Sequence, residues 1–348
     1  MGAALLTLTA VTHQIKKTVS PSPSYAQEES RLRALPASTD TYISLGILYA
    51  TYDAFEKALQ AFQQALELDP ANDLAHIWLG NIYIKLNRLA EAQTLFEERL
   101  STDPADASGL AGLGRVAYSR GEYDKAEKLF IEAGATFDLG KLYRVLGRFK
   151  ESEKVFLDAI KDKSTDTSLL MGLGYLYVHS DRLPEAEETF LKAVAINPKD
   201  EIAQGGLGDT YRRMGRYDDA FTAFAKAQEI NPDADIFTGL GDLYMELGRF
   251  EEAEKVFLRG LEVNPKAERY NGLGNVYRMM KRYEDAKAMY RKAIEINPAI
   301  ISVLPLARIL IEENNHEAAE KLLLTARDTP NWQEAQSMLS EISISSTR

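Results

Sequence analysis

Residues 173–198 read LGYLYVHSDRLPEAEETFLKAVAINP, and residues 207–232 read LGDTYRRMGRYDDAFTAFAKAQEINP. The two stretches share a leading Leu-Gly pair, aromatic and small residues at the same spacing, and a closing Asn-Pro. Their first glycines, Gly174 and Gly208, lie 34 residues apart. A fixed period in this range predicts a solenoid, in which each repeated unit buries its apolar face against its neighbours.

The same residue types recur in phase along most of the chain. A tyrosine usually follows the glycine of each Leu-Gly pair after three residues, an alanine after 12 and an aromatic residue after 16. Small residues allow two helices to approach closely, and aromatic rings fill the space between them. The glycines of these pairs, called the repeat glycines below, are Gly46, Gly80, Gly114, Gly140, Gly174, Gly208, Gly241 and Gly274.

Turn residues and prolines predict where the helices end. Gly, Asn and Asp tolerate the left-handed backbone that ends a helix, whereas proline cannot continue one. Residues of the first kind stand in the middle of the units at Asp53, Asn87, Gly121, Gly147, Asp181, Gly215 and Gly248. Prolines close the units at Pro70, Pro104, Pro198, Pro232, Pro265 and Pro298. Each unit is therefore predicted to be a helical hairpin.

This pattern resembles the tetratricopeptide repeat family over about residues 39–330. The resemblance implies an all-α, right-handed superhelical solenoid of antiparallel helix pairs. We expect nine units, the last of them irregular because Pro305 interrupts its first helix. A capping helix at residues 331–343 and a tail at residues 344–348 follow. The expected units are 39–72, 73–106, 107–132, 133–166, 167–200, 201–233, 234–266, 267–299 and 300–330.

One break in the period has two possible explanations. Gly114 and Gly140 are only 26 residues apart, and the Asp-Pro turn between their units is missing. A deletion that shortens two helices would explain this spacing. Alternatively, the residues around Gly134 change the curvature of the array or form a flexible joint.

The composition argues against several classes of function. The net charge of −11 disfavours nucleic acid and anionic membranes as partners, because both attract a positive surface. No apolar run is long enough for a membrane span, and the chain contains no cysteine. The four histidines lie far apart, and neither a nucleophile–base pair nor a phosphate-binding loop is visible. We therefore expect no enzyme activity, no metal and no cofactor.

Residues 1–38 differ from the repeats. A short apolar run at residues 3–11 precedes two lysines, an extended Ser-Pro linker at residues 20–23 and small residues around Tyr25 that suit a signal-peptide cleavage site. No Lys or Arg precedes the apolar run. A secretory signal, a disordered tail or short amphipathic helix, and a transit peptide therefore all stay open, and so does the choice between a cytoplasmic and an exported protein.

The first helix of each unit carries the expected binding surface. In the tetratricopeptide repeat family this helix lines a concave groove, and by resemblance the positions one, four and five residues after the repeat glycine face it. Cations outnumber acids at these positions, although the whole chain is acidic. The expected partner-binding residues are Asn81, Lys85, Arg115, Tyr118, Lys141, Arg144, Tyr175, His179, Asp209, Arg212, Arg213, Asp242, Asn275 and Arg278.

Two interpretations of these cations stay open. Arginine can bond both oxygens of a carboxylate, so the groove would suit an acidic or C-terminal segment of a partner. Alternatively, the arginines pair with nearby carboxylates, for example Arg212 with Asp209. The lysine column of family members that clamp a chaperone C-terminus is absent, so that specificity is not expected. Glycines two residues before the repeat glycine, such as Gly112 and Gly172, are expected to leave the groove floor open.

The leading functional prediction is an interaction scaffold or adaptor that binds a protein or peptide, with self-association as a further option. One alternative is an exported or envelope-associated assembly factor, which requires a genuine N-terminal signal. Another is a regulatory or targeting subunit of an enzyme on a different chain, which would co-purify with an activity.

Overall fold

The structure is a computed structural model that describes residues 23–52, 54–162, 165–232, 235–297, 302–327 and 332–346. Within these ranges the chain forms 20 α-helices and no β-strand, which confirms the all-α prediction. The chain divides into two compact units. We call Pro21–Pro232 the N-terminal unit and Asp233–Arg348 the C-terminal unit.

The N-terminal unit begins with α1 (Pro23–Arg33) and continues as six helix pairs. These pairs are α2 (Thr39–Thr51) with α3 (Phe55–Leu68), α4 (Asp73–Lys85) with α5 (Leu89–Thr102), α6 (Ala107–Ser119) with α7 (Tyr123–Glu132), α8 (Thr136–Val145) with α9 (Phe149–Asp162), α10 (Thr167–His179) with α11 (Leu183–Ile196), and α12 (Glu201–Arg213) with α13 (Tyr217–Ile230). The C-terminal unit contains α14 (Phe237–Glu246) with α15 (Phe250–Val263), α16 (Ala267–Met279) with α17 (Tyr283–Ile296), α18 (Val303–Glu312) with α19 (His316–Leu324), and α20 (Trp332–Ser346).

Each helix packs on the next in the chain within its unit, as expected for stacked hairpins. The first helices of successive pairs in the N-terminal unit also contact one another, from α2 through α4, α6, α8 and α10 to α12. Among the described residues, the second helices of successive pairs make no such contact. The first helices therefore lie closer together than the second helices do, and we call the surface that they form the concave wall of this unit.

Aromatic rings of the second helices fill the core between pairs. Phe96 of α5 is fully buried. Its ring lies 2.2 Å from the place of a Cβ on Gly80 and 2.4 Å from that of a Cβ on Gly112. Gly172 meets the ring of Phe156 in the same way. The expectation that Gly112 and Gly172 leave the groove floor open is therefore wrong, because phenyl rings occupy that space.

The helix ends follow the turn chemistry of the sequence. Positive φ angles occur at Asn87, Gly121, Gly147, Asp181, Gly215 and Gly248, as predicted. Lys281 and Asn314 also adopt positive φ, although neither is among the predicted turn residues. The side chains of Asn72, Asp106 and Asp200 accept hydrogen bonds from backbone amides and cap α4, α6 and α12. Asp53 and Pro298 lie outside the described residues.

The break in the period shortens two helices. α7 has 10 residues, whereas the second helices α5 and α9 have 14. α8 also has 10 residues, whereas the first helices α6 and α10 have 13. Gly134 joins α7 to α8 with a φ of 62°. Phe130 of α7 nevertheless stays buried. The deletion therefore removes about a turn from each helix while the aromatic core position is kept.

The two ends of the described chain are helical. α1 packs on α2 and buries Tyr25 and Leu32. A short helix was among the alternatives for residues 1–38, whereas residues 1–22 and their apolar run lie outside the described part. α20 packs on α18 and α19. Pro305 does not interrupt a helix as expected, because it lies in the first turn of α18, where its missing amide hydrogen costs no helical bond.

Candidate functional site

A Tyr–Arg–Glu cluster recurs between successive pairs. The Tyr143 hydroxyl donates to Glu127 (2.7 Å), and Arg148 donates to the same carboxylate (2.9 Å) while its guanidinium lies 4.2 Å from the centre of the Tyr143 ring. Related contacts join Glu153 with Tyr177 and Arg182, Glu187 with Arg216, and Glu254 with Arg282. The recurring tyrosines and these arginines therefore bind one repeat to the next, a role that the sequence did not indicate.

Five of the predicted binding residues line one pocket on the concave wall of the N-terminal unit. This pocket, called the α4–α8 pocket below, has a volume of about 570 Å³ and is bordered by α4, α6 and α8. The predicted residues that line it are Asn81, Lys85, Arg115, Tyr118 and Lys141. Asp138 also lines it. The sequence did not indicate this residue, because the position two residues before the repeat glycine is a glycine in most units.

Arg115 is held by its neighbours. Its Nη2 lies 2.7 Å from Asp138 Oδ2, and its Nη1 donates to Asn81 Oδ1 at 3.1 Å. The side chain thereby links α6 to both α8 and α4. The pairing interpretation is therefore correct for Arg115, and part of its charge is already neutralised.

Lys85, Lys141 and Arg144, called the concave cations below, differ from Arg115. No described residue forms an ion pair with any of the three. The Lys141 ammonium lies 5.9 Å from the centre of the Tyr118 ring. Burial by the surrounding protein lowers the pKa of Lys141. The positive charges of Lys85, Arg144 and Arg115 lower this pKa further, whereas the negative charge of Asp138 raises it. The concave cations therefore lie close enough to repel one another.

Two further predicted binding residues, Tyr175 and His179, lie on α10. His179 Nδ1 lies 2.8 Å from the carbonyl oxygen of Tyr175. Surrounding protein, and then the charges of Arg144 and Arg213, lower the pKa of His179 below its usual 6.5. The ring of Tyr175 packs edge-on against Phe190, with 5.2 Å between ring centres. Tyr175 therefore has a packing role in addition to its place on the concave wall.

Two further predicted arginines are already paired on α12. Arg212 Nε lies 3.7 Å from Asp209 Oδ1, which is the pairing that the sequence suggested. Arg213 donates to Asp181 Oδ1 (3.0 Å) and to the carbonyl oxygen of Val178. The Arg213 contacts anchor α12 to the preceding pair, and both pairings leave less charge for a ligand.

The remaining predicted residues lie in the C-terminal unit. Asn275 and Arg278 of α16 line a smaller pocket of about 360 Å³ together with Arg308 of α18. Asn275 Oδ1 accepts a hydrogen bond from the Tyr290 hydroxyl (2.8 Å). Asp242 lies on α14 and does not line this pocket. Each unit therefore carries its own group of predicted binding residues.

The described residues offer neither a metal centre nor a membrane-spanning helix. These residues bring no three His, Asp or Glu side chains together in a way that suits a metal ion. None of the described helices has the length and apolarity that crossing a bilayer demands.

Comparisons with known proteins support the repeat assignment. One tetratricopeptide repeat model matches residues 52–108 and 277–342, and another matches the overlapping segments 165–233, 199–266 and 232–299. Together these segments cover more than half of the chain. The sequence has no match among curated proteins.

A solved structure with a TM-score above 0.5 shows the same fold. A chain of the APC/C hetero-tetramer Cut9–Hcn1 superposes with a TM-score of 0.61 and 14% identity, over 91% of this chain and 59% of that chain. A tetratricopeptide repeat protein from Parabacteroides merdae ATCC 43184 has 19% identity and a TM-score of 0.45, over 83% of this chain and 99% of its own. The tetratricopeptide repeats support a protein-interaction scaffold, a class that is generally non-catalytic. The chain belongs to the tetratricopeptide repeat family.

Proposed function

We propose that this protein is an interaction scaffold whose N-terminal unit binds an acidic segment of a partner protein along the first helices of its repeats. The concave cations Lys85, Lys141 and Arg144 carry the interaction, and Tyr118 and His179 add contact area. The observation that supports this best is the placement of the three cations on one concave wall, where no carboxylate of the described residues forms an ion pair with them.

The described residues include two kinds of cation. Cations near the turns, such as Arg148 and Arg182, sit within 3.0 Å of one or two carboxylates. The concave cations instead repel one another in a protein whose net charge is −11. Carboxylates of a partner would remove that repulsion and form charge-assisted hydrogen bonds with the lysines and the arginine. A few such anchors supply most of the affinity of an interface.

The test is a quantitative pull-down from a lysate of the cells that express the protein. The concave variant carries Lys85→Glu, Lys141→Glu and Arg144→Glu. The matched control carries the same charge change on the second helices as Lys128→Glu, Lys150→Glu and Lys154→Glu, all of which are exposed lysines of α7 and α9. Circular dichroism checks that both variants are folded.

We expect the concave variant to lose proteins that wild type and the control variant both retain, and we expect the lost proteins to contain acidic segments. If the concave variant retains the same proteins as wild type, the proposal is wrong. Binding would then use the second helices or the C-terminal unit.

A further inference from the structure

One column of the repeat departs from glycine in three places. Two residues before the repeat glycine the chain has Gly112, Gly172, Gly206, Gly239 and Gly272, but Ser44, Trp78 and Asp138 occupy this column in the units of α2, α4 and α8. Four of these glycines, Gly112, Gly172, Gly206 and Gly272, are packed against a phenylalanine ring. Trp78 and Asp138 both line the α4–α8 pocket. Two of the three exceptions therefore lie at the same site.

Trp78 supplies an apolar wall. Its indole stacks on Phe62, with 5.8 Å between ring centres and an angle of 9° between the planes. The stacked ring remains partly exposed at the pocket. Ile84 and Tyr118 are also partly exposed there, and Phe130 lies behind them. Apolar surface that is open to solvent inside a concavity favours burial by a ligand.

Positive charge borders this apolar surface. Lys85, Arg115 and Lys141 also line the pocket, and Asp138 offsets one of the three charges through its ion pair with Arg115. Three cations and one carboxylate give this border a net charge of about +2. A neutral apolar ligand would leave that charge unused, whereas an apolar group between carboxylates would satisfy both parts of the site.

We infer that the α4–α8 pocket binds one bulky apolar side chain of a partner segment whose flanking residues are acidic. This inference rests on the proposed function and deepens it, because it assigns an anchor residue to the acidic partner. The pocket volume of about 570 Å³ lies within the range of about 300–1,000 Å³ that is usual for ligand sites. An aromatic or large aliphatic side chain fits within it.

The test measures binding of three short fluorescent peptides by anisotropy. The first has a central phenylalanine flanked on both sides by aspartate and glutamate, the second replaces that phenylalanine by alanine, and the third keeps the phenylalanine between asparagines and glutamines. Ser119→Trp is designed to fill the pocket, since Ser119 is an exposed residue on its border. Ser101→Trp places the same side chain at an exposed position of α5, outside the pocket, as a matched control.

We expect wild type to bind the acidic phenylalanine peptide roughly tenfold more tightly than the acidic alanine peptide, as burial of an aromatic side chain predicts. Ser119→Trp should remove this difference, and Ser101→Trp should keep it. Equal affinity of wild type for the two acidic peptides would overturn the pocket inference and leave the proposed function intact. Equal affinity for the acidic and neutral phenylalanine peptides would instead overturn the proposed function. If no peptide binds, both are wrong.

Discussion

The guanidinium of Arg115 lies 2.7 Å from the carboxylate of Asp138, and this contact joins the first helices of two successive repeats. Asp138 is therefore both a structural partner and a negative charge inside a wall of cations. The pair limits how much of the charge of Arg115 can reach a ligand. It also separates the two interpretations of the predicted arginines, because Arg115 is paired whereas Arg144 has no ion-pair partner among the described residues.

Asp138→Asn should strengthen binding of an acidic peptide. Removing one negative charge from the pocket releases Arg115 and raises the local positive potential, so we expect about three- to tenfold tighter binding at low salt, with a smaller effect at high salt. Asp124→Asn is the matched control, since Asp124 is also in the first turn of its helix but lies on α7, outside the pocket. Equal effects of the two substitutions in anisotropy measurements would contradict a local role for Asp138.

The Tyr–Arg–Glu cluster should stabilise the stack of repeats. Glu127→Gln leaves the Tyr143 hydroxyl with a weaker acceptor and deprives Arg148 of one ion pair, so we expect a loss of about 1–2 kcal/mol in the free energy of unfolding. Glu132→Gln, an exposed position at the end of the same helix, should change it by less than about 0.5 kcal/mol. Urea unfolding followed by circular dichroism compares the two, and similar losses would argue against the cluster.

The glycine column should resist even a methyl group. A Cβ on Gly206 would lie 2.5 Å from the ring of Phe190. We expect Gly206→Ala to lower the unfolding temperature through a steric cost of about 1–3 kcal/mol, although alanine has the higher helix propensity. Phe190→Leu should couple with it, so that the double variant loses less stability than the sum of the two single variants. A Gly206→Ala protein that is more stable than wild type would show that the ring moves aside freely.

The Arg99–Asp106 pair should make stability depend on pH. Hydrogen bonds from Arg99, and further ones from backbone amides of α6, hold the pKa of Asp106 below its usual 3.8. Because the folded pKa is lower than the unfolded one, the stabilisation is fully present above the unfolded pKa and is lost as the pH falls through the folded pKa.

Asp106→Asn keeps a capping oxygen but removes the ion pair, so it isolates this contribution. We expect the variant to be about 1–3 kcal/mol less stable than wild type at neutral pH, with the difference shrinking below about pH 4. Urea midpoints measured across this range provide the check. A difference that stays constant with pH would mean that the charge of Asp106 does not contribute.

The repeat phase was sufficient to predict the helices because the same residue types meet the same packing demand in each unit. Gly80 and Gly112 are small since Phe96 lies against both, and the sequence shows these small and aromatic columns directly. The length of the deletion near Gly134 likewise fixed the shortening of α7 and α8.

The candidate site was harder to predict from the sequence than the helices were. The position of a residue in the repeat indicates which helix face it occupies, but not which neighbouring residues it contacts. Arg115 and Arg144 occupy equivalent kinds of position, yet Asp138 stands next to one of them and no described carboxylate pairs with the other. Asp138 and Trp78 became visible as site residues only once α4, α6 and α8 were placed side by side. The available sequence signal for both residues was that each replaces the glycine that most units have at this position.

The proposed role of the concave cations is tested most directly by measuring how the affinity of the protein for an acidic peptide depends on salt. Wild type, the concave variant with Lys85→Glu, Lys141→Glu and Arg144→Glu, and the second-helix control variant are titrated with the acidic phenylalanine peptide. We predict that the concave variant loses at least roughly tenfold in affinity at low salt, that the control retains most of it, and that added salt weakens wild-type binding. Equal losses in the two variants, or wild-type binding that does not respond to salt, would contradict the account.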